Sequence, residues 1–181
     1  MITFITGNPK KLAELEKILP QTLDITHQKL DLDEIQSLDL HEIITHKLRQ
    51  AYDAIKQPIM VEDISAELES LNGLPGPFIK FFHQKLGETA LYQIGADNDH
   101  VTITCTMGYY DGTREIIVDG VMEGTIVAPR GEALFGFDPI IQPDGYTQTL
   151  AELGPDIKNQ ISHRRKATDA MVVALKERGI C

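Results

Sequence analysis

Residues 2–12, Ile-Thr-Phe-Ile-Thr-Gly-Asn-Pro-Lys-Lys-Leu, run an apolar strand directly into a glycine turn and a lysine-led helix. At such a junction the first amides of the helix lack intrahelical partners, and the helix dipole adds partial positive charge that Lys10 and Lys11 reinforce. Pro9 suits the first helical position, where its missing N–H costs nothing. Thr6, Gly7, Asn8, Pro9, Lys10 and Lys11 therefore form a candidate anion site. The spacing matches neither a Walker A loop nor the dinucleotide fingerprint, so it names no ligand, and an ordinary capped helix start is the competing reading.

The pattern that follows extends this unit into an α/β fold. Leu12, Leu15, Ile18 and Leu19 recur at helical spacing until Pro20. A second strand near Leu23–His27 leads through the acidic loop Asp31–Glu34 to a helix from about Leu40 to Ala54, and Pro58–Asp63 reads as a buried strand ending in two carboxylates. In an open α/β sheet, ligands collect at the carboxyl ends of strands. A helix is expected over Phe78–Leu86, after the Pro/Gly-rich segment 73–77. Strand-like runs then occupy 101–110, 114–118 and 121–127, the first two joined by Asp111-Gly112, a hairpin signal, so a β-meander lobe is expected at about 100–130. Residues 129–131 return to loop, and a final helix spans about His163–Arg178.

At 181 residues and 42% hydrophobic, the chain has the size of one domain, 1–181, able to bury roughly 70% of its unfolded surface. A net charge of −10 argues against a nucleic-acid polymer as partner, because such binders carry a clustered excess of Lys and Arg. Small anions remain compatible where cations are concentrated locally. Cys105 and Cys181 form no disulfide framework or metal spacing and suit a reducing compartment, with Cys105 expected in the core. Neither a signal-peptide pattern nor a run of about 18 apolar residues is present, so a soluble cytoplasmic protein without membrane contact is expected.

Several residue groups could carry chemistry. Glu62 and Asp63, at the strand end, suit a divalent cation or a general base, since Mg²⁺ takes one or two protein carboxylates together with phosphate oxygens. Taken singly, such carboxylates also serve as solvated loop groups, and the same holds for Glu34. Lys47 and Lys80 are candidate phosphate cations, Lys80 because it follows a rigid Pro/Gly turn in an apolar stretch. Residues 158–166 concentrate Lys158, His163, Arg164, Arg165 and Lys166 around the start of the last helix, where positive charge opposes the dipole unless an anion offsets it. Phe135-Gly136-Phe137-Asp138-Pro139 places two aromatics around a glycine, able to stack on a planar base or to plug a core.

Read in order, residues 6–11, 61–63, 73–80, 126–131, 135–139, 144–146 and 162–164 resemble the motifs of the inosine triphosphate pyrophosphatase family over nearly the whole chain. That family hydrolyses non-canonical purine nucleoside triphosphates such as ITP, dITP and XTP to monophosphate and pyrophosphate. The resemblance implies an elongated mixed β-sheet flanked by helices, two lobes with a nucleotide cleft between them, and a homodimer. It also implies roles: Thr6 to Lys11 cradle the triphosphate, and Lys47, Lys80 and Lys158 add charge. Glu34 and Asp63 hold Mg²⁺, with Mn²⁺ the alternative metal and Glu62 the alternative ligand, while Asp63 activates the water. Phe135, Gly136, Phe137 and Asp138 line the base pocket, and His163 and Arg164 read the base edge.

The chain departs from the family pattern at Ile64, where a hydroxyl contact to substrate is expected, which leaves that contact to Ser65 or a backbone amide. A 6-oxo purine offers an O6/N7 acceptor pair that Arg164 can meet with two donors, whereas adenine presents an amino donor at the same edge, so ATP is expected to be rejected. A broad nucleoside triphosphate pyrophosphatase and a nucleotide-binding regulator without catalysis are the alternatives.

Overall fold

Residues Ile2–Ile5, all buried, form β1, and the glycine turn that follows starts α1, Pro9–Ile18. The computed structural model describes residues 1–20, 23–132 and 136–180. Further along lie β2 (Ile25–Gln28), α2 (Leu40–Ile55), β3 (Ile59–Leu68), β4 (Pro75–Gly76), α3 (Ile79–Leu86), α4 (Ala90–Ile94), β5 (His100–Tyr110), β6 (Glu115–Ile126), β7 (Ile141–Pro143), α5 (Leu150–Ile161) and α6 (His163–Glu177). The strands form one mixed sheet in the order β2-β1-β3-β5-β6-β7, with β4 paired to β3. Two compact units share this chain. One holds Met1–Asp63, Cys105–Gly120 and Arg164–Cys181, the other Ile64–Thr104 and Val121–His163.

In the first unit β1 lies parallel to both β2 and β3, with Phe4 opposite His27 and Met60. The β1-to-β2 and β2-to-β3 connections step in opposite directions across the sheet, so right-handed crossovers put α1 and α2 on opposite faces. The α2 face is sealed by Ile5, Ile59 and Val61 against Ile44, Leu48 and Ala51. Gly108 of β5 lets α2 approach closely. A Cβ there would lie 2.4 Å from the Ile44 Cγ2 and 2.8 Å from the Leu48 Cδ1.

The second unit builds its core from Ala66, Leu68, Val101, Ile103, Met122 and Ile126 of the strands with Ile79, Leu91 and Leu150 of the helices. Three features differ from the sequence expectations. β3 continues past Asp63 to Leu68, because Ala66 and Leu68 are buried in that second core and β4 pairs with it at Ala66–Gly76. Residues 115–126 are one strand with no turn at Asp119-Gly120, and the β5–β6 hairpin is shared by both units instead of forming a lobe of its own. Helix α5 lies where no element is expected. It begins with a reciprocal cap in which Thr149 accepts from the Glu152 amide and Glu152 accepts from the Thr149 amide, and it kinks at Gly154. As expected, Asp111 closes the β5–β6 turn by accepting from the Thr113 and Arg114 amides, and Cys105 is fully buried. No helix among the described residues is long and apolar enough to cross a membrane.

Gly108→Ala is expected to lower stability by about 1–3 kcal/mol, since Ile44 and Leu48 are fully buried and cannot retreat without repacking. Thermal denaturation checks this, and an unchanged Tm would show that α2 is free to shift.

Candidate active site

The turn after β1 is a capped helix start. The Asn8 side-chain oxygen accepts from the Lys10 amide at 3.0 Å and the Lys11 amide at 3.4 Å, while the Asn8 amide donates to the Thr6 hydroxyl at 3.1 Å. Two of the amides expected to face an anion are therefore held by Asn8. Gly7, Pro9 and Lys10 are exposed, so the dipole and the Lys10 charge remain at the surface of this turn.

Consecutive residues of a strand face opposite sides of a sheet. Asp63 shares the α2 face with Ile59 and Val61, and Lys47 of α2 donates to the Asp63 carboxylate at 2.7 Å. The same ammonium reaches Glu34 at 3.3 Å. One mostly buried cation thus gathers two carboxylates, from the loop before α2 and from β3. These are the two residues for which a metal role is expected, and their oxygen-only donor set suits a hard divalent ion. In the second unit His100, Glu123 and Asp144 bring one donor atom each within 4.8 Å of one another, but both carboxylates are exposed, as acidic surface groups commonly are without an ion.

Glu62 faces the other side of the strand. Its carboxylate is 1% exposed and accepts from Arg164 at 2.9 and 3.0 Å in a two-point bond, with the Lys11 ammonium at 3.1 Å. Burial alone would push the Glu62 pKa up; the Arg164 and Lys11 charges outweigh it and hold the carboxyl well below the usual range. For Lys11 burial acts downward, and the Glu62 and Asp63 charges reverse it, so the ammonium stays charged. Glu62 is accordingly a counter-ion to two cations, turned away from the Glu34–Asp63 pair. Arg164, expected at the base edge, is itself 1% exposed, with its fork on Glu62 and a further donor on Glu14 of α1. The two donors that a purine edge would need are engaged by a carboxylate.

The remaining candidates lie in the second unit. Lys158 of α5 and Asp138 are both buried and bond to each other at 2.9 Å. Gly136 adopts a left-handed backbone, φ 55°, and Phe137 stands edge-on to His83 of α3 with centroids 5.2 Å apart. His163 is buried at the start of α6, and Lys80 is exposed on α3. Phe135 lies outside the described residues. Ile64 packs against the second unit's core, and the Ser65 hydroxyl donates to Glu67 at 2.8 Å. His83 and Glu14 were not among the sequence candidates. Helical spacing places them, but nothing local marks their partners.

Removing Arg164 leaves Glu62 buried with Lys11 alone, so Arg164→Ala is expected to lower unfolding free energy by about 3 kcal/mol or more near neutral pH. Because the folded Glu62 pKa is depressed, its stabilisation is complete above the unfolded value of about 4.3 and drains away as pH falls below it. The gap between wild type and variant, measured by denaturant titration, is therefore expected to narrow on acidification. A gap that widens would exclude Glu62 as the partner that matters.

Residues 2–174 match the Ham1 family. A protein of Yarrowia lipolytica named inosine triphosphate pyrophosphatase is 40% identical over 182 residues, covering 98% of this chain and 96% of that protein. A Batrachochytrium dendrobatidis protein of the same name is 42% identical, covering 92% and 89%. Among solved structures, a HAM1 protein from Coxiella burnetii aligns with a TM-score of 0.80 at 29% identity, covering 97% of this chain and 98% of that one. A nucleoside-triphosphatase, dITP/XTP pyrophosphatase, from Mycobacterium abscessus aligns with a TM-score of 0.72 at 26% identity, covering 94% and 97%. Sequence and fold agree over nearly the full length of the molecule, and on that ground the chain belongs to the Ham1 family.

Proposed function

We propose that this protein hydrolyses non-canonical purine nucleoside triphosphates, ITP, dITP and XTP, to the monophosphate and pyrophosphate. The names of its relatives support that substrate class. The observation that carries the chemistry is the convergence of Glu34 and Asp63 on Lys47. Glu34 and Asp63 would hold Mg²⁺, or Mn²⁺ in its place, and the ion when bound supplies Lewis-acid polarisation of phosphate oxygens. Asp63 accepts the proton of the attacking water. A new P–O bond forms at the α-phosphorus, the anhydride bond breaks, and pyrophosphate leaves. Lys47, Lys10 and Lys80 offset charge that spreads over the phosphate oxygens in a loose transition state.

Base selection is assigned to Phe137, Asp138 and Lys158, with the base edge replacing the bond between the last two. Asp138 and Lys158 form an acceptor beside a donor. A 6-oxo purine presents the matching pair, a donor at N1–H and an acceptor at O6, whereas adenine presents an acceptor at N1 and a donor at the 6-amino group. Phe137 supplies an aromatic face for the base. The homodimer and the cytoplasmic setting belong to the same proposal, the dimer being testable by light scattering.

ITP is expected to be cleaved at least about tenfold more efficiently than ATP, since one matched edge discriminates by roughly 1–3 kcal/mol. Chromatography of the products decides the reaction itself. Nucleoside diphosphate and orthophosphate would place attack at the terminal phosphate and overturn the proposal. Asp63→Asn keeps the shape but removes a base and an anionic ligand, so kcat is expected to fall by roughly 10²–10⁴ with folding intact. Near-normal turnover at saturating Mg²⁺ would remove Asp63 from the mechanism.

A further inference from the structure

Glu62 is a buried carboxylate that the reaction above does not use, and its surroundings are unusual for a purely structural ion pair. Arg164 satisfies it at two points, yet Lys11, one turn into the helix that follows the candidate phosphate turn, converges on the same carboxylate. The Lys11 side chain is 19% exposed, so its ammonium is neither sealed off nor freely solvated. An ammonium has three N–H donors, and Glu62 takes one. Because Arg164 shares the Glu62 charge, the carboxylate fixes the direction of the ammonium without fully neutralising it.

We propose that Glu62 is a positioning residue for substrate binding, which acts by holding the Lys11 ammonium so that its remaining donors are aimed at the triphosphate. This rests on the reading of the turn after β1 as the phosphate site. An unanchored lysine samples many rotamers and loses that freedom only on binding, whereas Glu62 restricts it beforehand. The rigidity comes from β3 itself: the strand that presents Asp63 on one face presents Glu62 on the other, so the two carboxylates keep a fixed relation. The effect belongs to binding and is carried by the ground state and transition state alike, so it falls on KM.

A double-mutant cycle tests this. Lys11→Met, Glu62→Gln and the combined variant are compared with wild type in steady-state ITP hydrolysis, and in calorimetric affinity for inorganic tripolyphosphate, which needs no turnover. Each single variant is expected to raise KM and the tripolyphosphate Kd by about tenfold with kcat within about threefold, and the combination to be no worse than either alone. Effects that multiply would show that Glu62 does not act through Lys11 and would overturn the proposal. So would a Glu62→Gln variant that lowers kcat while leaving KM and Kd unchanged. If Glu62→Gln does not fold, Glu62→Asp keeps the charge but withdraws it by one methylene, and the same cycle is read with that variant. A wild type that binds tripolyphosphate but does not cleave ITP would refute the proposed reaction, while the Kd cycle would still decide the role of Glu62.

Discussion

A strand turns consecutive side chains to opposite faces, and in β3 that alternation falls between two adjacent carboxylates. Because β1 sits between β2 and β3, the two right-handed crossovers of the first unit cover different faces, so each carboxylate meets a different set of helices. Glu62 meets Lys11 of α1 and Arg164 of α6; Asp63 meets Lys47 of α2. A one-residue slip of β3 would exchange the two environments, placing the residue proposed to touch water and metal against Arg164 and Lys11. The buried apolar neighbours Ile59 and Val61, packed under α2, set that register.

The Glu62–Arg164 pair also ties distant parts of the chain together. A buried ion pair contributes little relative to an apolar substitute of the same shape, but breaking one strands a charge away from water. Glu62 and Arg164 are 102 residues apart in sequence, so α6 cannot leave the sheet without exposing that imbalance. Lys158 and Asp138 repeat the arrangement in the second unit, 20 residues apart and both buried. Each unit thus carries a buried pair beside residues proposed to meet substrate.

Much of this was legible in the sequence, for identifiable reasons. Periodicity and punctuation located α1, α2, α3, α6 and the β5–β6 hairpin, because Pro9, Pro20 and Asp111-Gly112 mark their ends. Helix α5 was not anticipated, although Thr149 and Glu152 carried the spacing of a reciprocal cap; Gly154 and Pro155 interrupt its helical pattern. The separate runs expected at 114–118 and 121–127 are one strand, since the sheet continues through Asp119 and Gly120. At the candidate site, Glu34, Lys47 and Asp63 were all identified and do come together. The separation of Glu62 from Asp63 followed from strand alternation, but only once the strand was known to run on to Leu68. The partner of Arg164 could not be read locally, since the basic cluster around it suggested an anion without showing that the anion is a carboxylate of the chain itself.

That last point bears on how an acidic protein can bind a polyanion. Lys11, Lys47 and Lys158 each lie against a carboxylate, so the cations proposed to serve the substrate are matched internally. At Lys11 burial acts against the charged form, and the Glu62 and Asp63 charges reverse it. Matching keeps the charge in place, and fixed dipoles and charges need little reorganisation when substrate arrives. A nucleic-acid polymer requires a continuous cationic track along which counterions are released, and a chain of net charge −10 with its cations paired in recessed positions does not supply one. A short triphosphate needs only a few aimed donors. Pairing of Lys11, Lys47 and Lys158 with carboxylates therefore suits the short anion proposed as substrate.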